Sequence, residues 1–205
     1  IQMGKYDDVF VVAADQVSAF VLSVFSSFQA MSDMPCKPFD KNRNGVTLGE
    51  AVAAAWVSKE AEGAQVEILG EGSINDANHI SGPSRTGEGL YRSMRSAFQE
   101  AALPASRIDF ISAHGTATLY NDEMEAIAFD RMGIIDKPMH SLKGYYGHTL
   151  GASGLLELTL TIHSLCNNLL IPSLGYVENG TSQQINIIEH ITAMPLSIAL
   201  KTASE

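Results

Sequence analysis

Apolar and polar positions along this chain switch between two periods, and the alternation predicts an α/β fold. Residues 8–14 (D-V-F-V-V-A-A) read as a buried strand, and 18–30 are apolar over a helix's length. A turn-rich stretch follows over 35–45. Residues 51–58 and 66–69 read as strands with Gly63 in the turn between them, which predicts an antiparallel pair. A polar loop over 71–89 leads into a helix over 88–102, where Leu90, Met94, Phe98 and Ala101 form one stripe and Pro104 marks the end. A strand over 108–113 precedes a helix over 121–132, with Asn121 as its expected N-cap and Asp122, Glu123 and Glu125 in its first turns. A strand over 138–142, a long apolar helix over 152–165, and strands over 185–188 and 196–200 complete the pattern.

At 205 residues the chain makes one large domain or most of two small ones. A net charge of −10 argues against a nucleic-acid surface. No apolar run reaches membrane-spanning length, and the start is not a signal peptide. Two cysteines, Cys36 and Cys166, give no disulfide framework, which points to a reducing cytoplasm. The first residue is Ile1, in mid-pattern, so a piece of a longer protein is expected. The best seam lies near residues 60–75.

The chemistry gathers in two histidine loops. One is His114-Gly115-Thr116-Ala117-Thr118; the other is Lys143-Gly144-Tyr145-Tyr146-Gly147-His148, running on to Gly154. Each follows a strand-like run and precedes a helix-like one. Two neutral imidazoles can aim two N–H donors at one oxygen. A helix beginning just after His148 would add its positive end. Lys143, five residues before His148, would hold a nearby imidazole neutral by charge repulsion. Such a site suits an enolate or a thioester oxyanion.

These loops resemble those of the β-ketoacyl-(acyl-carrier-protein) synthases, condensing enzymes of the thiolase-like fold. The family's His-Gly-Thr-x-Thr loop matches residues 114–118, and its Lys-x-x-x-Gly-His loop matches 143–148 with the glycine-rich helix start at 151–154. Pro38-Phe39-Asp40-Lys41-Asn42-Arg43-Asn44-Gly45 is similar to a third family segment, and Asp122-x-x-Glu125 to its acidic pair. The resemblance implies a layered α/β fold of mixed sheets with helices between and outside them, present here as an incomplete copy. It implies residues 1–62 as the end of the first half and 63–205 as the second half.

It also implies decarboxylative condensation of an acyl thioester with malonyl thioester, in fatty acid or polyketide synthesis, in a homodimer or heterodimer. His114 and His148 would bind the thioester carbonyl and steady the enolate, and Lys143 would organise the site with Glu125 as its ionic partner. Thr116 and Thr118 would bond the phosphopantetheine arm of an acyl carrier protein. No metal and no resident cofactor are implied. The family's nucleophilic cysteine would precede residue 1, and its gating loop would follow the strand at 200–204. Leu119 and Tyr120 replace the usual Pro and small residue after the first loop.

Other readings are weaker. A thiolase would share residues 147–154 but lack the first loop. A partner subunit that sets chain length would usually lose the nucleophile and often the histidines, whereas both histidines and Lys143 are present. Asp40-x-Asn42-x-Asn44-Gly45 imitates a calcium loop, but its twelfth position is Ala51. Cys36 and Cys166 lack a nucleophile's setting. His79, His140, His163 and His190 have no partner pattern and are expected to be structural or exposed. Arg85, Arg92 and Arg95 form a basic group on an acidic chain, either a solvated face or a docking point for an acidic carrier protein.

Overall fold

Two sheets enclose one helix, and that helix carries much of the buried polar chemistry. The computed structural model describes residues 1–76 and 82–204. In chain order its elements are β1 (Asp8–Asp15), α1 (Ala19–Ser27), β2 (Ala51–Ser58), α2 (Glu88–Glu100), β3 (Phe110–Ser112), α3 (Leu119–Met132), β4 (Met139–His140), α4 (Lys143–Tyr146), α5 (Ser153–Asn167), β5 (Leu169–Leu170), β6 (Thr192–Ala193) and β7 (Ala199–Lys201).

The central sheet is parallel, in the order β4-β3-β7. Its register sets Ile111 beside Met139 and Leu200, and Ser112 beside His140 and Lys201. Because side chains alternate across a strand, these rows lie on opposite faces. The apolar row packs with Met94 of α2 and Phe129 of α3. The polar row shares its face with Phe110, which packs against Leu165 of α5. On its other side α5 meets β2, which forms an antiparallel two-stranded sheet with β1. The order of layers is therefore helices, sheet, helix, sheet.

α5 buries polar residues rather than its leucines. Ser153, Glu157, Thr161 and Ser164 are its buried positions, and their spacing puts them on one stripe. α2 follows the expected stripe: Met94 is buried, with Leu90 and Phe98 packed against the core. Its Glu88 pairs with Arg131 of α3 at 2.6 Å, and Arg131 lies over the Tyr91 ring.

Several expectations are corrected. β2 pairs with β1 along its whole length, and 66–69 form no strand. A strand bonded to a full-length partner has no need of a short apolar run beyond Gly63. Asn121 does not cap α3: the cap position is Thr118, whose hydroxyl is bonded to Thr116 instead. Residues 185–188 form no strand element, although Met139 bonds Asn186 and Ile188 in the manner of an edge. The middle of the polar loop, including His79, lies outside the described residues. No helix among the described residues is long and apolar enough to cross a membrane.

Candidate active site

The first loop leaves β3 with its backbone tied to buried acids of α3. The Glu125 carboxylate accepts from His114 N–H at 2.9 Å and Gly115 N–H at 2.6 Å. Asp122 accepts from Ala117 N–H at 3.2 Å and Phe39 N–H at 2.7 Å. Gly115 sits at φ +43°, where an added Cβ would lie 2.5 Å from Ser141 and 2.7 Å from the Phe39 ring. Only glycine fits that approach.

The second loop begins with the single turn of α4. Its Lys143 is fully buried. The Lys143 ammonium meets three acceptors: His114 O at 2.5 Å, Glu157 Oε1 at 2.5 Å and His114 Nδ1 at 3.2 Å. Three donors with three acceptors fit the charged form. Glu125 is therefore not the direct partner expected for Lys143. Its oxygens are committed to the first loop's N–H groups, and Glu157 of α5 takes the ion pair. His148 donates its N–H to Thr47 O at 2.6 Å.

The two imidazoles meet edge to face, with ring centroids 5.1 Å apart. Their tautomers follow from their neighbours. His114 Nδ1 faces an ammonium, which can only donate. His148 Nδ1 accepts from Leu150 N–H at 3.1 Å. Both neutral rings must then carry their proton on Nε2. Neither Nε2 has a protein hydrogen-bond partner among the described residues.

Burial, then the Lys143 charge, pushes His114 well below the usual imidazole range. The same two causes push His148 down to about 4. Burial lowers Lys143, and Glu157 opposes it. Glu125 is pushed up by burial and restrained by the two N–H groups it accepts. Burial pushes Asp122 up to about 7 against the opposing Phe39 N–H. The result at neutral pH is a pair of uncharged N–H donors backed by a buried cation. That arrangement suits an oxygen gaining negative charge.

The structure thus joins His114, Lys143 and His148, with Glu125 beneath the first loop. Thr116 and Thr118 bond each other at 2.9 Å. Thr118 lines a groove of about 2100 Å³ together with Leu119, Tyr120, Lys201 and Ser204; the two imidazoles and Lys143 do not line it. Cys36 is buried and bonds Lys143 O at 3.1 Å, and burial pushes its thiol up. Cys166 is exposed. His140 is fully buried, its Nδ1 bonded to Ile171 O and its Nε2 unpartnered. Asp40, in the false calcium loop, accepts from the N–H groups of Asn42, Val177 and Glu178.

Two neighbours escaped the sequence reading. Glu157 is the only charged residue between 153 and 167, and a lone acid in an apolar helix was the available signal. Lys201 gave none: its role depends on a strand register.

This geometry and the sequence place the chain in one class: it belongs to the β-ketoacyl synthase family. Residues 65–177 match the profile described as "Beta-ketoacyl synthase, C-terminal domain". The chain is 33% identical over 187 residues to 3-oxoacyl-[acyl-carrier-protein] synthase 2 of Rhizobium meliloti (strain 1021), covering 83% of this chain and 44% of that protein. The crystal structure of a β-ketoacyl synthase from Burkholderia phymatum STM815 superimposes with a TM-score of 0.88 at 32% identity, over 94% of this chain and 50% of that one. The structure titled "The ishigamide ketosynthase/chain length factor" gives 0.90 at 29% identity, over 98% and 51%. The layered fold is thiolase-like, and the chain spans about half the length of the curated relatives it matches.

Proposed function

We propose that this chain supplies the histidine half of a β-ketoacyl-acyl-carrier-protein synthase active site, with the nucleophilic cysteine outside it. The observation that carries the reading is the imidazole pair, 5.1 Å apart, each ring fixed by a donor at Nδ1 and free at Nε2. In the complete synthase an acyl group would sit on the cysteine. The malonyl thioester would place its carbonyl oxygen between the two Nε2–H donors. Loss of CO2 leaves the bond's electron pair as an enolate, and that oxygen gains the charge the pair is built to receive. The enolate carbon then attacks the acyl carbonyl and expels the cysteine thiolate. Lys143 orients His114, and burial together with the Lys143 charge keeps both rings neutral.

The names of the relatives support acyl carrier protein as the bearer of the substrates. Thr118, which lines the groove, and Thr116, bonded to it, are then the residues to hold its phosphopantetheine arm. Arg85, Arg92 and Arg95 are all exposed and are available to an acidic carrier. The profile match, beginning at residue 65, supports a first-half remnant over 1–62 and the second half over 63–205. The family's association as a homodimer or heterodimer, and a cytoplasmic setting, belong to the same reading. A partner subunit that only sets chain length would have no need of two rings so held.

The test is the complete synthase carrying His148→Ala. Release of CO2 from malonyl thioester should fall by about 100-fold or more, the scale of losing one oxyanion donor. Undiminished release would overturn the assignment.

A further inference from the structure

Glu157 faces more positive charge than one carboxylate balances. Lys143 Nζ lies 2.5 Å from its Oε1 and Lys201 Nζ 2.7 Å from its Oε2. The side chains of Lys143, Glu157 and Lys201 are 0%, 1% and 13% exposed, so solvent screens them little. Oε2 takes no directed hydrogen bond, which makes the Lys201 contact ionic. Two ammonium groups share one carboxylate, so the Lys143–Glu157–Lys201 triad by itself carries one positive charge in excess.

Strand register explains how Lys201 arrives there. It stands beside Ser112 of β3, with His140 of β4 on the other side, on the sheet face toward α5. Lys201 bonds neither imidazole of the pair; it acts through the Glu157 carboxylate it shares with Lys143 and through its own charge. It also donates to Thr202 O. The Thr202 hydroxyl accepts from His114 N–H at 3.2 Å and donates to Glu125 at 3.0 Å. The end of β7 therefore braces both acids that stand behind His114.

We propose that Lys201 is a positioning residue for the imidazole pair: by sharing Glu157 with Lys143, it turns the Lys143 ammonium toward His114 and keeps the buried triad net positive. The inference rests on the proposed function for its catalytic meaning, but its structural claim does not. The titratable groups around the cluster are Glu157 of α5, Lys143 and Tyr146 of α4, His140 of β4, Glu125 of α3, and His114, His148 and Cys36 from loops. Asp15 of β1 lies near His148. Burial is the first cause of the low values of His114, His140, His148 and Lys143, and the Lys201 charge pushes all four further down. Without it, Glu157 would belong to Lys143 alone and the pair would be neutral. Less field would then oppose protonation of the rings.

The experiment uses the complete synthase as wild type, Lys201→Met, Lys201→Gln and Lys201→Arg. One readout is the titration of the His114 and His148 ring protons by NMR. The other is the pH dependence of malonyl decarboxylation. Lys201→Met should raise both imidazole midpoints by about one pH unit and move the acid limb of decarboxylation the same way. kcat should fall while KM for the malonyl thioester holds. Lys201→Gln keeps a donor for Glu157 without its charge and should give the same shift if Lys201→Met fails to fold. Lys201→Arg should restore the wild-type profile. Midpoints unchanged in both neutral variants would overturn the proposal. A wild type that releases no CO2 would defeat the proposed function, and the ring titrations would still decide the role of Lys201.

Discussion

The two histidine loops reach one site by different means. The first is fixed from within its own β3–α3 unit: Glu125 and Asp122, a few residues downstream, hold the N–H groups of His114, Gly115 and Ala117. The second is fixed from far away in sequence. His148 donates its N–H to Thr47 and accepts at its carbonyl from Gly49 N–H at 3.0 Å. Its ring is set by Leu150 N–H and by Ser153 at the start of α5. The first loop's backbone is thus held chiefly by acids of the helix that follows it, with Lys143 and Thr202 added to His114 itself, whereas the His148 backbone is held by distant segments. A disturbance of the global packing should reach His148 first, while damage to α3 should reach His114 first.

The largest effect should come from the local side. Glu125→Ala strips an acceptor from two buried backbone donors and from the Thr202 hydroxyl. Orphaned buried donors make this substitution cost about 4 kcal/mol of stability. Glu125→Gln keeps one acceptor oxygen and should cost about half as much. Urea unfolding of the complete synthase measures both. A Glu125→Ala loss below about 1 kcal/mol would show that the loop stands without its carboxylate.

The distant side is tested at Gly49. A Cβ there would lie 1.8 Å from the Tyr146 carbonyl oxygen, so Gly49→Ala must push the two segments apart. That moves His148 while leaving the acids beneath His114 untouched. A displacement near 1 Å costs about 100-fold in rate when it misplaces a reacting group. Malonyl decarboxylation should fall by that factor, and His114 should keep its ring titration. A full rate in Gly49→Ala would mean that the pairing with residues 47–49 does not place His148.

The same contrast governs what could be read from the sequence. α2, β3 and α5 were legible because their patterns are local, as in the Leu90–Met94–Phe98 stripe; β1 was legible as a strand but not as the buried one expected, since Phe10, Val11 and Val12 are exposed. The two loops were legible because residue type and spacing already specify their chemistry. Partnerships across the fold were not. The apolar run at 66–69 looked like a mate for β2, but β1 occupies that edge over all eight residues. Glu125 looked like the partner of Lys143, yet its oxygens are consumed by the loop above it. Glu157 and Lys201 join the site only once α5 lies across the β4-β3-β7 sheet. His140 had no visible partner because its acceptor is a backbone carbonyl, Ile171 O.

The smallest effect separates the ring of His148 from its backbone. Ser153 Oγ lies 3.0 Å from His148 Nδ1 and accepts from Thr149 N–H at 3.0 Å. In Ser153→Ala the Leu150 N–H still donates to Nδ1, so the tautomer survives. The loss of one acceptor should cost about 1 kcal/mol in stability and no more than about fivefold in decarboxylation. The ring should also keep its titration. A midpoint of about 4 is below the ordinary 6.5. The neutral ring's contribution to stability is therefore complete above pH 6.5 and is lost as pH falls toward 4. The His148 ring resonance should hold its neutral position at about pH 5.5 in wild type and in Ser153→Ala alike. A wild-type midpoint at 6.5 would show a solvated ring without the Lys143 field. A rise confined to Ser153→Ala would show that the hydroxyl, not burial, keeps the proton off.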